Sequence, residues 1–195
     1  MCRPRIVRDF ASWTARAALG RAPVRDGETL YPALDRVPFD ELFDTSAGPI
    51  PEPDFARWHE AAVEGLRSDV PGLPVGWAAK LVNVYLKTSS YVGDLGRPGL
   101  RDLLHPPIDG GLWAGLRRWA VKPGSPERGE ILARTHAVES IAAIQDYEAH
   151  YEVIIEGCRD VARIVGCRLI EVEQFWEGVR RGQPPVNSNT ANDFR

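Results

Sequence analysis

Apolar residues in this 195-residue chain recur three and four positions apart, and no segment long enough to be a strand alternates apolar with polar. A chain patterned this way buries its apolar surface through helices, so the expected fold class is all-α. A helix is predicted over 9–20 with Phe10, Trp13, Ala17 and Leu19 turned inward and Gly20 as its stop. Residues 21–53 hold most of the turn chemistry, apart from a short helix packed by Phe39, Leu42 and Phe43. Segment 53–68 carries the amphipathic stripe Phe55, Trp58, Ala62, Val63 and Leu66. A helix over about 77–91 has the single inward stripe Trp77, Leu81, Val84, Tyr85 and Thr88. A turn of helix is expected at 98–104, then a helix through Leu112, Trp113, Leu116 and Trp119. Two long helices follow at 129–145 and 146–166, the second ended by Gly166, and a last helix spans 169–180.

Length and composition suit one domain, or two closely packed helical halves, over 1–181. The tail 182–195 is polar, has little to bury and is expected to be mobile. No stretch approaches the ~20 apolar residues that span a bilayer, and the basic start lacks a signal-peptide pattern, so a cytoplasmic protein is expected, taken as a monomer. Cys2, Cys158 and Cys167 are too few and scattered for a disulfide framework. His59, His105, His136 and His150 show no ligand spacing with them, so no metal is predicted.

The segment 73–113 holds the chemistry. A Pro/Gly turn leads into a helix that carries Lys80 near its start, where the positive end of the macrodipole disfavours the ammonium form. A second Pro-rich turn places Asp109 at a helix N-cap, followed by Gly110-Gly111. A desolvated amine beside a carboxylate suits nucleophilic catalysis: the acid orients the amine, accepts its proton and stabilises positive charge on a sugar. Taken singly, such a lysine is more often solvated, such an aspartate a simple cap, and Trp77, Trp113 and Trp176 core residues.

Three runs stand in order: Leu73-Pro74-Val75-Gly76, Lys80-Leu81-Val82-Asn83-Val84-Tyr85-Leu86 and Pro107-Ile108-Asp109-Gly110-Gly111-Leu112-Trp113. Together they resemble the helix–hairpin–helix DNA glycosylase superfamily. The hairpin glycine lies four residues before the lysine instead of two, and the aspartate lies 29 positions after the lysine. Both features are similar to the archaeal 8-oxoguanine glycosylase branch, as is the C-terminal Gly166-Cys167-Arg168-Leu169-Ile170-Glu171-Val172-Glu173-Gln174-Phe175-Trp176.

That resemblance implies a helix–hairpin–helix glycosylase-like fold, two closely packed helical halves with a cleft between them, with Lys80 as Schiff-base lysine and Asp109 as the essential acid. It also implies Glu173 and Trp176 at a base pocket, DNA bearing a damaged or modified purine as partner, and no cofactor. Trp77, Asn83, Lys87, His105 and Trp113 are further candidates for substrate contact, with Asn83 also able to bond the loop. The net charge of −3 gives no global support for DNA binding. A local basic face is therefore expected along 76–122, where Lys80, Lys87, Arg97 and Arg101 outnumber Asp94 and Asp102 and are followed by Arg117, Arg118 and Lys122. The acidic balance, short length and irregular hairpin suggest an alternative: a helical domain of the same ancestry that binds modified DNA or a protein partner without cleaving it.

Overall fold

The computed structural model describes residues 3–20, 22–24, 27–121 and 127–177. Among these every regular element is helical, in agreement with the periodicity. In chain order the α-helices are α1 (Arg3–Ala17), α2 (Gly27–Asp35), α3 (Asp40–Phe43), α4 (Glu52–Asp69), α5 (Val75–Leu86), α6 (Leu100–Leu103), α7 (Gly110–Ala120), α8 (Glu127–Thr135) and α9 (Val153–Val165). Wider π-helical turns occupy Lys87–Val92, continuing α5, and Tyr147–Glu152, leading into α9. No helix among the described residues is long and apolar enough to cross a membrane.

The fold is organised around α5. Its residues from Val75 to Ala79, and Leu81, Val82, Asn83, Tyr85 and Leu86, are all buried, so the helix read as having one inward stripe is enclosed on most sides. Helices α1 and α4 pack against it, as does the turn Ile141–Ala143. Gly76 permits the last contact. Its N–H donates to the Ile144 carbonyl at 3.0 Å, and a Cβ there would collide with the Ile141 carbonyl. From Val75 to Tyr91 the burial is broken at helical spacing by Lys80, Val84, Lys87 and Tyr91, forming one partly open seam.

Several local expectations are corrected. Helix α1 begins at Arg3 and turns its small residues Ala11 and Ala15 inward, leaving Phe10 53% and Trp13 62% exposed, with Ala17 also outside. Small side chains let the α1 backbone approach the Lys87–Val92 turn closely enough for the Thr14 and Thr88 hydroxyls to meet at 2.9 Å. Helix α2 forms where turns were expected: burial of Leu30, Ala33 and Leu34 outweighs the backbone hydrogen bond lost at Pro32. The long helix expected over 129–145 ends at Thr135. Ser140 then caps a short 3-10 turn and Asp146 caps the Tyr147 π-turn. The last element is a 3-10 helix, Leu169–Phe175. Cys2, the 178–180 end of the predicted helix, the domain boundary at 181 and the tail 182–195 lie outside the described residues.

A polar hub sits inside this core. The Asn83 carbonyl oxygen lies 2.8 Å from His59 Nε2, which therefore donates, so His59 Nδ1 accepts from the Tyr147 hydroxyl at 2.7 Å. The Asn83 amide donates to the Pro106 carbonyl (3.3 Å) and to the Tyr151 hydroxyl (2.8 Å). Tyr151 in turn donates to His105 Nδ1 at 3.1 Å. Each bond fixes the direction of the next, and the pattern holds only while both imidazoles are neutral. Burial pushes His59 down to about 4 and lowers His105 as well, while it raises Tyr151.

These shifts link stability to pH. The unfolded histidines take up protons near 6.5, but folded His59 does so only near 4, so stability falls as pH drops through that interval. The expected slope is about 1.4 kcal/mol per pH unit for each histidine. Urea-unfolding midpoints should therefore drop clearly between pH 7 and pH 5; equal midpoints would contradict a neutral buried pair.

Candidate functional site

Extended backbone through Pro106, Pro107 and buried Ile108 delivers Asp109 to the N-cap of α7. Its Oδ1 accepts from the backbone N–H groups of Gly111 (2.9 Å) and Leu112 (3.0 Å), and from the Trp176 indole N–H (2.9 Å). Asp109 Oδ2 faces Lys80 Nζ at 3.4 Å. Two residues 29 positions apart in the chain thus meet directly. The Lys80 side chain is 13% exposed and that of Asp109 24%, so water screens the pair only in part. The face of Trp77 lies 5.1 Å from the Lys80 ammonium, a cation–π contact that steers the side chain along the seam.

Further along the seam, Lys87 and Tyr91 form one wall of a groove of about 450 Å³. The opposite wall is the segment 170–176, contributing Glu173, Gln174 and Trp176 among others. Lys87 Nζ pairs with Glu173 at 2.7 Å, and the Tyr91 hydroxyl donates to Glu171 at 2.9 Å. That bond holds the phenolic proton in place and raises the Tyr91 pKa, while the Arg168 backbone N–H first and the Tyr91 hydroxyl second lower that of Glu171. Trp176 belongs to both regions, since its ring lines the groove while its N–H reaches Asp109.

The C-terminal segment lies close to α7 because two glycines make room for it. A side chain at Gly111 would collide with the Trp176 indole, and one at Gly115 with the Phe175 carbonyl. The Glu177 N–H donates to the Gly111 carbonyl at 3.1 Å, and Arg118 pairs with Glu177 at 2.7 Å.

Of the residues singled out from the sequence, Lys80, Asp109, Trp77, Lys87, Glu173 and Trp176 lie along this seam and groove. Asn83 and His105 are instead in the buried hub, where Asn83 bonds the loop carbonyl of Pro106. Trp113 is a core residue whose indole N–H donates to the Thr135 carbonyl at 2.7 Å. Tyr91 and Glu171 were missed. Tyr91 was accessible in principle, because 80, 84, 87 and 91 share one helical face, whereas Glu171 had no such signal.

The expected basic face along 76–122 is also corrected. Lys80 and Lys87 pair with Asp109 and Glu173, Arg97 bonds the carbonyls of Gly48 and Pro49, and Arg101 bonds Ser90 and pairs with Asp94. These cations hold the fold together. Arg117 is exposed with no ion pair among the described residues, and Lys122 lies outside them. No group of three or more His, Cys, Asp or Glu side chains among the described residues is arranged to hold a metal ion.

Asn83→Ala should cost about 3 kcal/mol in urea denaturation, since it leaves the His59 N–H and the Pro106 carbonyl buried without their partner. A loss under about 1 kcal/mol would show that the hub does not hold the loop.

Compared with models of known families, with curated proteins and with solved structures, the chain matches none, and its functional reading rests on the residues and geometry above.

Proposed function

We propose that this protein is a base-excision DNA glycosylase with AP-lyase activity, acting through Lys80 on an extruded, damaged or modified purine. The observation that carries the reading is the direct meeting of Lys80 and Asp109 in a partly enclosed seam that runs toward an open groove. The resemblance to helix–hairpin–helix glycosylases supports it, with 8-oxoguanine as the substrate it suggests.

A base inside a duplex is out of reach of any side chain, so the nucleotide is flipped out first. The groove suits a nucleobase: Trp176 offers an aromatic wall, the Lys87 ammonium a donor and the Glu173 carboxylate an acceptor for the base edge.

Lys80 attacks the deoxyribose C1′ as a free amine, so a proton passes from its ammonium to Asp109 Oδ2. The amine lone pair forms the C1′–N bond while the glycosidic pair leaves with the base, which takes up a proton. A second proton then leaves the attached nitrogen as the C1′–O4′ bond opens and O4′ is protonated, giving a protonated imine. Loss of a C2′ proton expels the 3′ phosphate and cuts the strand. Asp109 hands the lysine proton on to the departing base and, as a carboxylate again, stabilises the positive charge left on the sugar. With most cations of the motif block engaged internally, affinity for DNA is weak and sensitive to salt.

Internal pairing of those cations also favours the second reading, a non-catalytic domain of the same ancestry that binds a modified base. Borohydride trapping on duplexes carrying 8-oxoguanine or other modified purines separates the two. A covalent adduct is expected with the wild type, none with Lys80→Ala, and trapping slowed by about 100-fold or more with Asp109→Asn. Gel-shift binding without any adduct supports the binder, an adduct that survives Lys80→Ala excludes the lysine mechanism, and neither adduct nor binding at low salt defeats both readings.

A further inference from the structure

The two oxygens of Asp109 have unequal surroundings. Oδ1 receives three donors, the Gly111 and Leu112 N–H groups and the Trp176 indole N–H, while Oδ2 faces Lys80. The two backbone donors are what any aspartate N-cap collects. The third comes from a segment 67 residues further along the chain, and capping α7 does not require it. Rotating the carboxylate toward Lys80 so that both oxygens share the ammonium would break all three bonds at Oδ1. The indole N–H therefore adds to the penalty against such a doubly bonded, tighter ion pair.

Trp176 also forms part of the groove wall. One side chain thus touches both the space proposed for the base and the carboxylate proposed to take the lysine proton. We infer that Trp176 is a positioning residue, whose indole N–H holds Asp109 with Oδ2 alone toward Lys80 and whose ring ties that orientation to the flipped base. The inference rests on the glycosylase reading. It assigns Trp176 a task beyond lining the pocket, because the ring alone would serve as a wall.

The placement of Trp176 is itself built in. Gly111 and Gly115 lie on one face of α7, and the absence of their side chains lets Phe175 and Trp176 approach that helix. A methyl group at 115 would push the segment away and withdraw the indole N–H with Trp176 still present.

Two quantities decide the question: the single-turnover trapping rate at saturating DNA, and the DNA concentration giving half that rate. Trp176→Phe keeps an aromatic wall and removes the donor. It should slow the rate about tenfold, roughly the worth of one hydrogen bond to a charged acceptor, with the half-saturating concentration unchanged. Trp176→Ala should change both quantities. Gly115→Ala should slow the rate in the manner of Trp176→Phe, although every groove side chain is retained. A Trp176→Phe rate within twofold of wild type, or a change in half-saturation alone, overturns the inference and leaves the glycosylase reading standing. Absence of any wild-type adduct removes the reading itself, and the inference with it.

Discussion

A single buried carboxamide holds the site's two halves in register. Asn83 stands one turn beyond Lys80 on the most enclosed of the described helices, and its amide reaches the Pro106 carbonyl, three residues before Asp109. The path from lysine to aspartate therefore runs through α5, one side-chain hydrogen bond and a proline-restricted stretch of extended chain. Little along that path can rotate freely. The other bonds of Asn83, to His59 and Tyr151, tie the same point to α4 and to the π-turn before α9, so four parts of the chain meet at one polar side chain. A buried polar group left without its partners is costly, and here every bond depends on the one before it.

Against this rigid background the electrostatics at Lys80 and Asp109 are deliberately uneven. A carboxylate with three donors on one oxygen and one cation at the other keeps a defined orientation. The pair is neither buried outright nor open to bulk water, and the seam that exposes it continues to Lys87 and Tyr91. Most of the cations that might have formed a DNA-facing patch bind carbonyls or carboxylates of the protein itself. The modest positive balance of the 76–108 segment is thus largely taken up by partners within the fold.

Much of the fold was legible in the sequence. Helical spacing identified the class, the amphipathic 53–68 segment and the start of α7, and Asp-Gly-Gly announced an N-cap that forms as expected. What misled was the choice between adjacent stripes on one helix. In α1, Phe10 and Trp13 are the more apolar set, yet Ala11 and Ala15 face the core, because close approach to α5 favours small residues over large ones. Trp113, by residue type more often a core tryptophan, is one, but only packing could reveal which partners it and His105 meet inside the core.

Taken alone, the sequence determined the helical class and the caps, and it singled out Lys80 and Asp109, because each depends on neighbours within a few residues. It could not decide whether that lysine and that aspartate touch, which cations remain free, or which tryptophan meets the carboxylate. Those outcomes rest on contacts spanning tens of residues: Asn83 with Pro106, Trp176 with Asp109, and Lys87 with Glu173. Local spacing encodes which face a helix can bury, whereas the partner it meets is settled by how all the helices pack at once. Two atoms far apart in the chain come within hydrogen-bonding distance only when that packing is complete.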